Sequence, residues 1–130
     1  ICYTKNMQDN IKRIHSNLYL VHDLQAAADF YTKLGFTVAT DDSTARIKLG
    51  DVTLAFMDEK SVEIANEAGI TPKGVGIYTY VEVRDVDAHY ATVVANGAKP
   101  SSEPKTWPWG KREFAVKDPD GYKIVFYSAV

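Results

Sequence analysis

Two stretches of this chain follow one plan, and a repeat restricts what 130 residues can fold into more than any other feature. LYLVHDLQAAADFYTKLGFTV runs from Leu18 to Val38, and YVEVRDVDAHYATVVANGAKP runs from Tyr80 to Pro100. Each reads as an apolar strand-like run, an Asp, a helix-like segment and a Gly. Asp23 to Gly35 spans the same interval as Asp85 to Gly97, so the two units are offset by 62 positions. An Asp before a helix accepts the orphan N–H groups of the first turn. A Gly just beyond it suits the left-handed residue that ends a helix. Between these marks, Leu24, Ala27, Phe30, Tyr31 and Leu34 recur at helical spacing, as do Val86, His89, Tyr90, Val93 and Val94.

Strand patterns follow each helix. The first half offers FTVATD, ARIKLG and DVTLAFMD, the last two joined at Gly50-Asp51. The second offers AKPSSE, REFAVKD and YKIVFYSA, the last two joined by Asp118-Pro119-Asp120-Gly121. Both closing pairs read as hairpins, with Gly and Pro supplying the turns. The expected fold class is α+β: two βαβββ modules in one chain, forming curved mixed sheets around a cavity. One domain covers 11–130, with module one at 11–58, a linker at 59–75 and module two at 76–128. The linker holds a helical turn in SVEIANEAG and a breaker at Pro72. Residues 1–10 read as an N-terminal extension, with Met7 a candidate native start.

Composition removes several functions. Fifteen Lys and Arg against 17 Asp and Glu leave a net charge of −2, so the Lys/Arg surplus of a nucleic-acid binder is missing. The lone Cys2 excludes an internal disulfide and any multi-Cys zinc site. No apolar run approaches the roughly 18 residues of a membrane span, and ICYTKNMQDN lacks the marks of an export signal. The expectation is a cytoplasmic chain with no membrane and no nucleic-acid partner. What stands out is aromatic content: eight Tyr, five Phe and two Trp.

DLQAAADFYTKLGF (Asp23–Phe36), GDVTLAF (Gly50–Phe56), VRDVDAHYATVVANG (Val83–Gly97) and WGKREFAVKDPDGYKIVFY (Trp109–Tyr127) together resemble the vicinal oxygen chelate superfamily, which includes glyoxalase I, extradiol dioxygenases and bleomycin-resistance proteins. The resemblance covers about Ile11 to Ser128. It implies that each module forms a four-stranded sheet curved into a cup, with the helix on the convex side. It also implies a ligand cavity made by two halves, often completed across a homodimer. Fold alone does not give function, so the site has to be read residue by residue.

The resemblance implies four positions for metal ligands, early in the first strand and mid-way along the last strand of each half. His and Glu there leave open positions for a substrate's vicinal oxygens. The last strands align Ala55 with Val125, and neither can ligate a metal. Counting back from Asp85 gives Tyr78. Counting back from Asp23 gives Ser16, whereas alternation favours His15: Ile14, Leu18 and Leu20 read as a core face and His15, Asn17 and Tyr19 as the cup face. A β-bulge near Val21-His22 would reconcile the two counts. With at most one ligand of four, neither a metal nor another cofactor is expected.

A cup without ligands is lined instead by Ala55, Met57, Val125, Tyr78, Tyr80 and Tyr127. His15 and Asn17 add polar groups, and Glu82 and Glu113 add negative charge near the mouth. In TWPWG, Trp107 is the candidate ligand contact and Trp109 the packing partner. An apolar, aromatic-lined cavity suits a planar or aromatic organic molecule. The expected function is therefore a metal-independent, homodimeric small-molecule binder resembling bleomycin-resistance proteins, with no catalytic residue. The alternative is a lyase, isomerase or dioxygenase with an atypical or metal-free site, using His15, Tyr78 or Glu82 as acid or base.

Overall fold

A computed structural model describes residues 10–61 and 77–130. The first module is β1 (Ser16–Val21), α1 (Leu24–Lys33), β2 (Ala39–Thr40), β3 (Thr44–Leu49) and β4 (Val52–Asp58), followed by a 3-10 turn at Glu59–Ser61. The second is β5 (Tyr78–Glu82), α2 (Val86–Ala95), β6 (Lys105–Thr106), β7 (Lys111–Lys117) and β8 (Lys123–Ala129). The sheets have orders β1-β4-β3-β2 and β5-β8-β7-β6. In both, the first strand pairs parallel with the last, a pairing that needs a crossover, and the helix lies on that crossover. The fold is the expected α+β pair of βαβββ units.

The helix ends form as the repeat predicts. Asp23 accepts a hydrogen bond from the Ala26 N–H and Asp85 from the Ala88 N–H, both at 3.1 Å. Gly35 and Gly97, one residue past each cap, have φ of +99° and +95°. Each helix covers one face of its own sheet, and both covered faces belong to a single core. Phe56, Tyr31 and Leu34 of the first module join Phe114, Phe126 and Val93 of the second in one buried cluster. Phe36 and Phe126 sit 5.8 Å apart across the modules. The sheets are not closed around a common cavity. Because their helix-side faces share the core, their other faces point outward.

Several local expectations change. AKPSSE does not form the strand. Ser101 bonds Ala115 through the backbone, but β6 starts only at Lys105, and Pro100 and Pro104 interrupt the stretch. FTVATD shortens to Ala39–Thr40. Val94 lies 45% exposed, on the solvent side of α2. The linker turn over 62–69, Pro72, Cys2 and Met7 lie outside the described residues.

The face of β1 is reversed from the reading by alternation. Register sets Ser16 opposite Thr53, Leu18 opposite Ala55 and Leu20 opposite Met57, all on the cup face. Leu18 is 54% exposed and Ile14 70% exposed, whereas Tyr19 and Val21 lie in the core. The physical reason is Tyr19. Its ring stacks on Phe56 at 5.4 Å and meets Tyr122 edge-on at 5.0 Å. Its hydroxyl pairs with Thr79 Oγ1 at 3.1 Å, so the polar end costs little to bury. The pairing runs unbroken from Ser16 to Val21, so the count that gives Ser16 needs no bulge.

Candidate functional site

The second sheet's outward face, cup B, is best read as rows across β5, β8 and β7. One row holds Tyr78, Lys123 and Lys117; the next Tyr80, Val125 and Ala115; the third Glu82, Tyr127 and Glu113. Residues two apart along a strand point the same way, roughly 6.5 Å apart, so these three rows form a continuous floor. Over it lies a cavity of about 320 Å³ lined by Tyr78, Tyr80, Val125, Ala115, Glu113 and Trp107, with Lys105, Lys117 and Lys123 at its edges. Ser101, Ser102 and Glu103 close the side beyond β7.

Rings and ammonium groups alternate in this cup. Lys105 Nζ lies 4.0 Å from the Trp107 ring centroid, and Trp107 stacks on Trp109 at 4.8 Å with an 8° interplanar angle. Lys123 Nζ lies 4.9 Å from the Tyr78 ring. Lys111 Nζ sits over both Tyr80 and Tyr127, at 5.0 and 4.7 Å. Such contacts hold the aromatic faces in fixed places. Partial desolvation, then the nearby Glu113 carboxylate, then Tyr78 push the Tyr80 phenol above its ordinary pKa, so it remains a neutral hydroxyl.

Of the residues expected to bind ligand, Tyr78, Tyr80, Trp107 and Val125 line this one cavity. Tyr127 and Glu82 belong to the adjoining row. Trp109 is 58% exposed, with its ring against Trp107. Ala55 and Met57 lie on the outward face of the first sheet, here cup A, and do not meet the others within the chain. Asn17 instead lines a groove between β1 and β5, with Tyr80 and Glu82 across from it. His15 is exposed just before β1, its carbonyl accepting from the Thr53 N–H at 2.9 Å. The reading from sequence passed over Ala115, Lys117 and Lys123. Alternation along Lys111-x-Glu113-x-Ala115-x-Lys117 and Lys123-x-Val125 puts each on the face of Val125, but only the hairpin register makes Lys117 and Lys123 partners.

A sequence profile of the Glyoxalase family, described as the Glyoxalase/Bleomycin resistance protein/Dioxygenase superfamily, matches residues 13–126, and the chain belongs to that superfamily. It is similar to a glyoxalase/bleomycin resistance protein/dioxygenase from Nocardioides, at 26% identity and TM-score 0.74 over 99% of this chain and 91% of that one. It is also similar to TnmS3, an antibiotic binding protein from Streptomyces sp. CB03234, at 25% identity and TM-score 0.72 over 93% and 98% of the two chains. A glyoxalase-related enzyme from Fulvimarina pelagi shares the fold at 19% identity, TM-score 0.74 and coverage of 91% and 88%. Among curated proteins no match was found.

The four positions where the resemblance implies metal ligands are Ser16, Ala55, Tyr78 and Val125 once the register is known. A methyl and an isopropyl group donate nothing, and neutral hydroxyls are weak ligands, so this donor set does not fit a catalytic divalent ion. Among the described residues no three His, Cys, Asp or Glu side chains group in a way that could hold one. No described helix is long and apolar enough to cross a membrane.

Proposed function

We propose that this chain is a metal-independent binding protein of the bleomycin-resistance type, taking a planar aromatic molecule and leaving it unaltered. The observation that carries the proposal is the replacement of all four ligand positions by Ser16, Ala55, Tyr78 and Val125, beside a cavity walled by Tyr78, Tyr80 and Trp107. Stacking on such rings supplies affinity without any particular chemistry. The antibiotic-binding relative at 25% identity supports the same reading.

The cups also argue for a homodimer. Cup B is open on one side, and cup A presents the exposed Leu18 beside Ala55 and Met57. An isologous pair would set cup A of each copy over cup B of the other, burying both apolar faces and closing two equal sites.

The test is incubation with planar aromatic compounds, followed by thermal melting and mass analysis of the recovered compound. A ligand of the native state raises the melting temperature by mass action. The expected result is such a rise, with the compound recovered intact and a dimer on sedimentation. One divalent ion per chain retained through dialysis, or conversion of the compound, would overturn the proposal in favour of an enzyme.

A further inference from the structure

We propose that cup B is built for a planar aromatic acid carrying a hydrogen-bond donor at its far end, such as a hydroxylated aromatic carboxylate. This rests on the binding reading above and gives the ligand a charge and a direction.

The first observation is a like-charge pair. Lys117 and Lys123 are direct partners in the β7–β8 register, both on the cup face. Cross-strand partners stand about 5 Å apart at Cβ, and equal charges placed so oppose pairing. Among the described residues, neither ammonium has a carboxylate within 4.0 Å. Lys123 donates to the Tyr78 hydroxyl, at 3.4 Å. An anion held between the two would relieve the repulsion and accept charge-assisted hydrogen bonds from both.

The second observation lies at the other end of the same strand. Glu113 Oε2 is sealed from solvent and has no hydrogen-bond partner among the described residues. Glu113 also lines the cavity, so turning its carboxylate to meet a donor from the cavity's occupant breaks no hydrogen bond at Oε2 and ends a costly unsatisfied state. Glu113 and Lys117 are four residues apart on β7, roughly 13 Å of strand. Between them the floor is Ala115 and Val125, with Tyr80 beside them. A flat ring fits this apolar middle row, its acidic group toward the lysines and its donor toward Glu113.

Calorimetric titration of the intact protein with four naphthalene probes tests this: 6-hydroxy-2-naphthoate, 2-naphthoate, 2-naphthol and 2-(aminomethyl)naphthalene. The hydroxy acid should bind tightest, and each polar end should add about tenfold, the scale of one charge-assisted hydrogen bond. Added salt should weaken the two acids more than the naphthol. The double substitution Lys117→Met/Lys123→Met should erase the preference for acid over alcohol, and Glu113→Met the preference for the hydroxylated acid. If the ammonium probe binds as tightly as the acids, or if either preference survives its substitution, the inference fails while the aromatic-binding reading stands. If none of the four probes binds, both fail.

Discussion

The Tyr31 hydroxyl donates to Asp118 Oδ2 across 2.7 Å in the buried layer between the modules. Tyr31 comes from α1 and Asp118 from the turn after β7, so one hydrogen bond ties the first module's helix to the second module's hairpin. Asp118 Oδ1 accepts from the backbone N–H of Asp120 and of Tyr122, both at 2.9 Å, so the same carboxylate also shapes the turn. Burial raises the Asp118 pKa, and its hydrogen bonds from Tyr31, Tyr122 and Asp120 oppose that rise. Tyr31→Phe keeps the ring against Phe56 and removes only the donor. It should cost about 1.5–3 kcal/mol, the range for a hydrogen bond to a charged group, measured by urea denaturation. A loss below 0.5 kcal/mol, on the order of a neutral surface substitution, would show that the bond does not join the modules.

Gly35 and Gly97 occupy equivalent places, yet their surroundings differ. Both have φ near +95° to +99°, where a side chain is strained. At Gly35 an added Cβ would also meet His89 Cε1 at 3.3 Å, whereas at Gly97 nothing lies within 4 Å. Gly97→Ala should cost about 1 kcal/mol, from strain alone. Gly35→Ala should cost more, because His89 must yield as well. Denaturant midpoints of the two variants give the comparison directly, and equal losses would mean that His89 moves aside freely.

The contrast shows what was legible in the sequence. Helix caps and hairpin turns are local, so Asp23, Gly35, Asp85 and Gly97 declare the repeat without any tertiary information. Ala55 and Val125 are equally legible, because each sits between apolar neighbours that must face the core. Tyr19 is different. Whether a tyrosine faces core or cup depends on a hydroxyl partner, and Thr79 lies 60 residues away in the other module. The cup's lysine pair is hidden for the same reason: Lys117 and Lys123 become neighbours only once the hairpin register is known.

His89 makes a further link between modules, and it should be sensitive to acid. Its Nε2 lies 3.0 Å from the Leu34 carbonyl oxygen, which can only accept, so Nε2 carries the proton. The ring packs on Phe126 at 4.6 Å. Burial lowers its pKa below the ordinary 6.5, with the Leu34 hydrogen bond opposing the shift. The unfolded chain therefore takes up a proton first as pH falls. The stability His89 contributes is full above pH 6.5 and declines from there down to the depressed folded pKa. Melting temperatures from pH 8 to pH 5 should fall more for the native chain than for His89→Leu, and an NMR titration of the ring should show a midpoint under 6.5. Parallel melting curves for the two proteins would count against this role.

Ala115 offers the most direct control of the binding cup. Its side chain lies in the middle row, opposite Val125, and lines the cavity of about 320 Å³ without entering the buried core. A phenyl ring placed there projects into the space a ligand would use. Ala115→Phe should reduce the affinity for a naphthalene probe by about tenfold or more, on the order of the 1.4 kcal/mol that one decade represents. Its effect on melting temperature should be small, because no packed group has to move. Ala55→Phe supplies the companion measurement, since Ala55 lines cup A on the other sheet. Within one chain it is remote from the cavity, so it can block the probe only if a second copy sets cup A over cup B. Loss of binding in both variants, with both still dimeric on sedimentation, is the outcome expected of paired cups. Loss in Ala115→Phe alone would mean that cup B binds by itself.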